Sequence, residues 1–110
     1  MKKLLFAALA LSCILLPAEA KKKVRVHTIG DSTMADYAEN TTRTRGWGEM
    51  FQEVFSDDVE VMNYARGGRS TRSFINEGLW DKVKANIRKG DYVLIQFAHN
   101  DEKGGGTYSD

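Results

Sequence analysis

Cysteine, proline and histidine are scarce in this chain of 110 residues, which holds one, one and two of them. A single cysteine, Cys13, forms no intrachain disulfide, and two histidines make no metal-ligand set of adequate spacing. No apolar run approaches the roughly 20 residues that span a bilayer, so no stable membrane anchor is expected. An excess of one charge is missing too, since 16 basic residues stand against 15 acidic ones. That balance argues against nucleic acid as a partner. No glycine loop of nucleotide-binding spacing is present, and neither a cofactor nor a metal is expected.

The first residues read as an address. Met1-Lys2-Lys3 is a positive n-region, residues 4–16 are a short apolar stretch, and Ala18-Glu19-Ala20 is an A-x-A cleavage site. Together they have the three parts of a secretory signal peptide. Residues 1–20 are predicted to be removed after Ala20, which makes the protein secreted or periplasmic and leaves residues 21–110 as the folded part. Cys13 sits inside the apolar run with Ile14-Leu15-Leu16 still to come, which disfavours a lipoprotein. Cleavage takes away Cys13, Lys2, Lys3 and Glu19, so the mature chain has no cysteine and its two signs balance. The Lys21-Lys22-Lys23 run after the cleavage site reads as a solvated arm.

Hydrophobic periodicity alternates between the two regular structures. Residues 24–29 and 59–64 alternate as strands, and residues 91–97 form a nearly continuous apolar run of the kind buried on both sides. Trp47, Met50, Phe51, Val54 and Phe55 fall at helical spacing and predict an amphipathic helix over 47–55, with its aromatics mostly in the core and Trp47 facing either the core or a site. A second helix is expected over 76–89, with Leu79, Val83 and Ile87 on one face and Lys89-Gly90 as its stop. The order βαβαβ with right-handed crossovers gives a parallel sheet, in which the segments after the three strands meet at one edge.

Those three segments carry the chemistry. The first strand stops at Gly30-Asp31-Ser32-Thr33-Met34, the second runs into Tyr64-Ala65-Arg66-Gly67-Gly68-Arg69-Ser70-Thr71-Arg72-Ser73, and the third into Ala98-His99-Asn100-Asp101. Any helix N-cap or loop would also use Asp-Ser-Thr, so the first motif alone is weak. Three motifs in order at one edge are a stronger signal. A G-x-S-x-G elbow is absent, so the α/β-hydrolase fold is not a competitive reading.

On these residues, together with Gly46-Trp47-Gly48-Glu49, the chain resembles the SGNH (GDSL-type) hydrolases, and among them most the rhamnogalacturonan acetylesterases. The resemblance runs from about Val24 to Asp101. It implies an α/β fold with a three-layer, flavodoxin-like parallel sheet, incomplete here at its C-terminus. It also implies a serine esterase that removes O-acetyl groups from an acetylated polysaccharide or oligosaccharide such as pectin. Ser32 matches the nucleophile. The N–H of Ser32, the N–H of Gly68 and the side-chain amide of Asn100 match the oxyanion donors, which stabilise a tetrahedral intermediate because they are fixed before charge develops. Asp31 and Thr33 read as supports of the Ser32 turn. Arg69 and Arg72 are candidates to hold the carboxylate of an acidic sugar, with Trp47 as a further substrate contact. Arg66, which also flanks Gly68, could pair such a carboxylate in the same way, Arg43 and Arg45 read as solvated, and no role is assigned to Asp101.

The family's Asp-x-x-His block, which supplies the general base, has no match in this sequence. His27 occupies an ordinary strand position, and the side chain of His99 diverges from that of its neighbour Asn100. A serine hydroxyl without a base is a weak nucleophile, so the chain is expected to be truncated and inactive alone. Its glycine-rich end after the third strand agrees with that expectation, because a parallel sheet needs cover on both faces. The alternatives are another SGNH activity, such as a lipase or thioesterase with an apolar cleft, and a non-catalytic carbohydrate-binding α/β module.

Overall fold

The computed structural model describes residues 22–37 and 42–103. The predicted signal peptide and the polar stretch 104–110 lie outside the described residues. Strand β1 (Val24–Gly30) is followed by a one-turn helix α1 (Trp47–Met50), a 3-10 turn (Phe51–Val54) and strand β2 (Val59–Asn63). Helices α2 (Thr71–Asn76) and α3 (Leu79–Asn86) then lead to strand β3 (Tyr92–Gln96).

The strands form a parallel sheet in the order β2-β1-β3, with Val26 opposite Val61 on one side and Tyr92 on the other. Strand β1 takes the centre, and its residues from Val26 to Gly30 are all buried. Period-two alternation sends His27 and Ile29 to one face and Val26, Thr28 and Gly30 to the other. Ile29 joins Phe74, Leu79 and Val83 from the two helices in a buried cluster, against which Tyr64, Trp80, Ile87, Val93 and Phe97 pack. The Gly30 side is closed by the buried Met34 and by the turn that enters α1, where the Gly48 N–H donates to the Met34 carbonyl at 3.1 Å. Strands β1 and β3 approach so closely at Gly30 that a Cβ there would stand 2.6 Å from the Gln96 carbonyl oxygen. The result is the three-layer α/β arrangement that the resemblance implies.

A polar lock ties the sheet's other end. His27 is fully buried, stacks on Tyr64 at 5.7 Å and places Nε2 2.8 Å from Asp91 Oδ2. Arg25 donates to that same oxygen from Nη2 at 2.8 Å and from Nε at 3.2 Å, and the Arg88 N–H adds a fourth contact at 2.9 Å. These donors, Arg25 first and His27 next, hold the Asp91 carboxyl well below the usual carboxylate range.

Three expectations need correction. The helix over 47–55 is a single α-turn continued as a 3-10 turn, and its apolar stripe is only partly covered, with Met50 at 44% and Val54 at 69% exposure. Trp47, Phe51 and Phe55 instead pack edge to face, at centroid distances of 5.3 and 4.9 Å. The helix expected over 76–89 is the shorter α3, Leu79–Asn86, and a separate helix α2, Thr71–Asn76, precedes it where none was expected. Gly78, at φ 76°, ends the turn after α2 and starts α3, which stops at Asn86; the Lys89-Gly90 signal belongs to the turn into β3. Strand β3 is not buried on both sides. Among the described residues its only neighbour is β1, and Tyr92 and Ile95 are 63% and 64% exposed.

Candidate active site

Parallel strands deliver their trailing loops to one edge, and here Gly30, Asn63 and Gln96 end there together. The turn after β1 is fixed by Asp31, whose buried Oδ1 accepts from the Thr33 N–H at 3.0 Å and from Thr33 Oγ1 at 2.8 Å. Its carbonyl accepts from the N–H groups of Met34 and Ala35, both at 3.2 Å. A short acidic side chain bonding two residues ahead is an Asx-turn, which presets the backbone around Ser32. Ser32 itself is half-buried, and its carbonyl accepts from the Tyr37 hydroxyl at 2.7 Å.

The glycine turn lies against this serine. The Arg66 N–H donates to the Gly30 carbonyl at 3.0 Å, and a Cβ placed on Gly67 would stand 3.6 Å from the Ser32 Cβ. Gly68 comes next at φ 77°, in the left-handed region that favours glycine. Ser70 and Ser73 then form a capping box that starts α2.

The third motif closes on the second. Asn100 is buried, and its Nδ2 donates to the Arg69 carbonyl at 3.0 Å while its Oδ1 accepts from Lys103 Nζ at 2.8 Å. One Nδ2 hydrogen is thus used by the backbone, and the amide still has a second. Asp101 bridges the same gap, accepting from the Thr71 N–H at 2.6 Å and from Thr71 Oγ1 at 2.7 Å. His99 is exposed beside the buried Asn100, as divergence of adjacent side chains requires.

The arginines differ in their surroundings. Arg69 forks onto the Glu77 carboxylate, from Nη2 at 2.8 Å and Nε at 3.0 Å, and its Nη1 donates to the Gly67 carbonyl at 2.9 Å. The hydrogen bond from Arg69, with the charges of Arg69 and Arg66 behind it, lowers the Glu77 pKa. Arg72 is exposed in the first turn of α2. Trp47 is 39% exposed and donates from its indole N–H to Gln96 Oε1 at the end of β3. A recess of about 630 Å³ lies at the opposite end of the strands, bounded by Lys22, Lys23, Arg25, Glu60, Arg88 and Lys89 among others, and holds none of these motif residues.

Sequence reasoning passed over Asn63, Tyr37, Glu77, Asp101 and Lys103. Asn63 joins the two sides of the site: its Oδ1 accepts from Thr28 Oγ1 and the Ala65 N–H, and its Nδ2 donates to the Met34 carbonyl and Asp36 Oδ1. A polar residue ending an otherwise apolar alternation just before the glycine motif was the available signal.

Comparison with known proteins identifies the family. Rhamnogalacturonan acetylesterase RhgT of Bacillus subtilis (strain 168) is 46% identical over 87 residues, a match that covers 79% of this chain and 38% of the relative. A rhamnogalacturonan acetylesterase of Emericella nidulans is 42% identical over 84 residues, covering 76% of this chain and 30% of that one. The chain therefore spans well under half the length of these relatives. The crystal structure of protein YxiM from Bacillus subtilis superposes with a TM-score of 0.68 at 31% identity, over 74% of this chain and 23% of that one. The model of the GDSL-like Lipase/Acylhydrolase family matches residues 26–106, from inside the central strand through all three motifs, and to that family the chain belongs.

Proposed function

We propose that this chain supplies the nucleophile and the oxyanion donors of an exported carbohydrate O-acetylesterase acting on an acetylated, acidic cell-wall polysaccharide. One observation carries the reading. The three motifs form a single connected edge, with Gly67 against Ser32 and Asn100 bonded to the carbonyl next after Gly68. The names of the two acetylesterase relatives support the substrate class, and the signal-like residues 1–20 support the export.

In this reading the Ser32 hydroxyl attacks the acetyl carbonyl as its proton passes to a base. The carbonyl oxygen becomes an oxyanion held by the Ser32 N–H, the Gly68 N–H and the second Nδ2 hydrogen of Asn100. Such donors stabilise the intermediate without reorganising. Collapse expels the sugar alkoxide, which takes the proton, and water repeats the cycle on the acetyl-serine. In this reading the base is the imidazole of an Asp-x-x-His block, which residues 1–110 do not contain; of the histidines present, His27 is fully buried and bonded to Asp91, and His99 is exposed beside the buried Asn100. Arg72 and Trp47, exposed near the same edge, meet the polymer.

The test compares residues 21–110 with the protein expressed from the whole reading frame, measuring acetate released from acetylated rhamnogalacturonan. Release by the whole-frame protein, lost in Ser32→Ala and absent from residues 21–110, is expected. Serine-dependent release by residues 21–110 would overturn the assignment of the base. Hydrolysis of long-chain acyl esters in place of the polysaccharide would make the protein a lipase or thioesterase instead.

A further inference from the structure

We propose that Arg69 is a positioning residue of the oxyanion hole, acting through the Gly67–Gly68 peptide and held for that task by Glu77. The inference rests on the proposed esterase reading and replaces the role of carboxylate clamp for this arginine.

The peptide between Gly67 and Gly68 is a single plane. The carbonyl of Gly67 and the N–H of Gly68 belong to the same amide, which is trans because the described residues contain no cis bond. In a trans amide the C=O and N–H bonds point in opposite directions. Whatever grips the Gly67 oxygen therefore aims the Gly68 N–H the other way. Arg69 Nη1 grips that oxygen at 2.9 Å. Between glycines the grip has a purpose, since a Gly-Gly peptide without side chains is the least restrained in the loop.

A charged donor on a carbonyl also polarises the amide and makes its N–H a stronger donor, as successive hydrogen bonds in a chain strengthen one another. Long flexible side chains do not hold one position unaided. Glu77, at the C-cap of α2, supplies the restraint through two parallel bonds to the guanidinium. The main chain of Arg69 completes the arrangement, because its carbonyl accepts from Asn100 Nδ2. One residue thus orients two of the three donors, Gly68 from its side chain and Asn100 from its backbone. A guanidinium already bonded to Glu77 and Gly67 is poorly placed to receive a substrate carboxylate.

The experiment uses the whole-frame protein as wild type, Arg69→Gln, Arg69→Lys and Glu77→Gln, with two measurements. The first is the Gly68 amide resonance in ¹H–¹⁵N spectra. It is expected to move upfield in Arg69→Gln and in Glu77→Gln, and to return part of the way in Arg69→Lys, which keeps a cationic donor without the fork. The second is the split between kcat and KM on p-nitrophenyl acetate and on an acidic acetylated polysaccharide. A kcat loss of about 10- to 10²-fold on both substrates, with KM nearly unchanged, is expected from misaimed donors. A Gly68 resonance that stays in place overturns the proposal, as does a rise in KM confined to the acidic polymer, which would restore the clamp. Should Arg69→Gln fail to fold, Glu77→Gln releases the guanidinium without removing it and decides the matter. Should the wild type hydrolyse neither ester, the esterase reading fails, and the Gly68 resonance still reports whether Arg69 holds the peptide.

Discussion

His27 Nε2 stands 2.8 Å from Asp91 Oδ2, so the middle of the central strand is bonded to the residue that leads into strand β3. Arg25, on the same strand, forks onto that oxygen. The lock sits at the end of the sheet remote from Ser32, and its task is to hold β3 in register with β1.

This contact has an acid limit. Asp91 is depressed below its ordinary value of 3.8, chiefly by the Arg25 and His27 hydrogen bonds. A carboxyl with a lowered folded pKa contributes stability that is fully present above the unfolded value and is lost as pH falls through the folded one. Urea midpoints are therefore expected to decline from about pH 4 downward, and in Asp91→Asn this part of the decline should vanish while the midpoint at neutral pH drops. An unchanged acid limb in Asp91→Asn would assign it to other carboxyls.

Asn63 offers a test of the site's scaffold. Its four hydrogen bonds span β1, the Ser32 turn and the glycine loop. Asn63→Leu leaves those partners unmatched, at about 1–3 kcal/mol for each one buried. Asn63→Asp keeps the accepting oxygen but sets an anion against the Met34 carbonyl and Asp36. Both variants should melt lower than wild type in a thermal scan. A wild-type melting temperature in Asn63→Leu would show that the scaffold holds without these bonds.

Phe74 is the largest side chain fully buried in the cluster beneath α2 and α3, and its ring centroid lies 5.3 Å from that of Phe97, just past β3. Phe74→Ala should cost about 3–5 kcal/mol through lost transfer and the cavity left behind. Denaturant unfolding measures this directly, and a loss under about 1 kcal/mol would mean that the helices repack to fill the space.

The outer edge of β3 predicts behaviour in solution. Tyr92 and Ile95 are mostly exposed, and a small apolar recess of about 120 Å³ between Ile29, Phe74, Ile75, Trp80, Ile95 and Phe97 opens beside them. An exposed apolar strand edge pairs with other chains. Residues 21–110 alone should bind the dye ANS and self-associate, and Ile95→Lys should reduce both. A sharp melt of a dye-free monomer would show that these residues close their own core.

Asn100 tests the oxyanion assignment in the whole-frame protein. Asn100→Ala should lower kcat by about 10²–10³ with little change in KM, since an oxyanion donor acts chiefly in the transition state. Its fold should persist, because Asp101 still bridges to Thr71. Loss of the cooperative melt would instead make Asn100 a structural residue.

Strand identity, parallel pairing and the meeting of three motifs at one edge were legible in the residues. Each depends on period-two alternation, on glycine and on the chirality of crossovers, which are properties of short segments. Helix α2 was not legible, because six residues after a polar loop carry little periodicity, and the start of α3 was placed too early because a helical stripe looks the same whether or not the chain turns left-handed at Gly78. That β3 lies at an edge among the described residues was hidden as well, since an apolar run such as residues 92–97 reads alike whether a neighbour covers it or not.

The roles of Arg69, Asp91, Asn63 and Asp101 belong to the tertiary structure alone. Each acts through a partner far along the chain or across a turn: Arg69 through Glu77, Asp91 through His27, Asn63 through Thr28, and Asp101 through Thr71. Local composition limits what a side chain can do. Only the fold brings it within about 3 Å of the group that uses it, because hydrogen bonds and ion pairs are decided by distance and angle and not by separation in sequence.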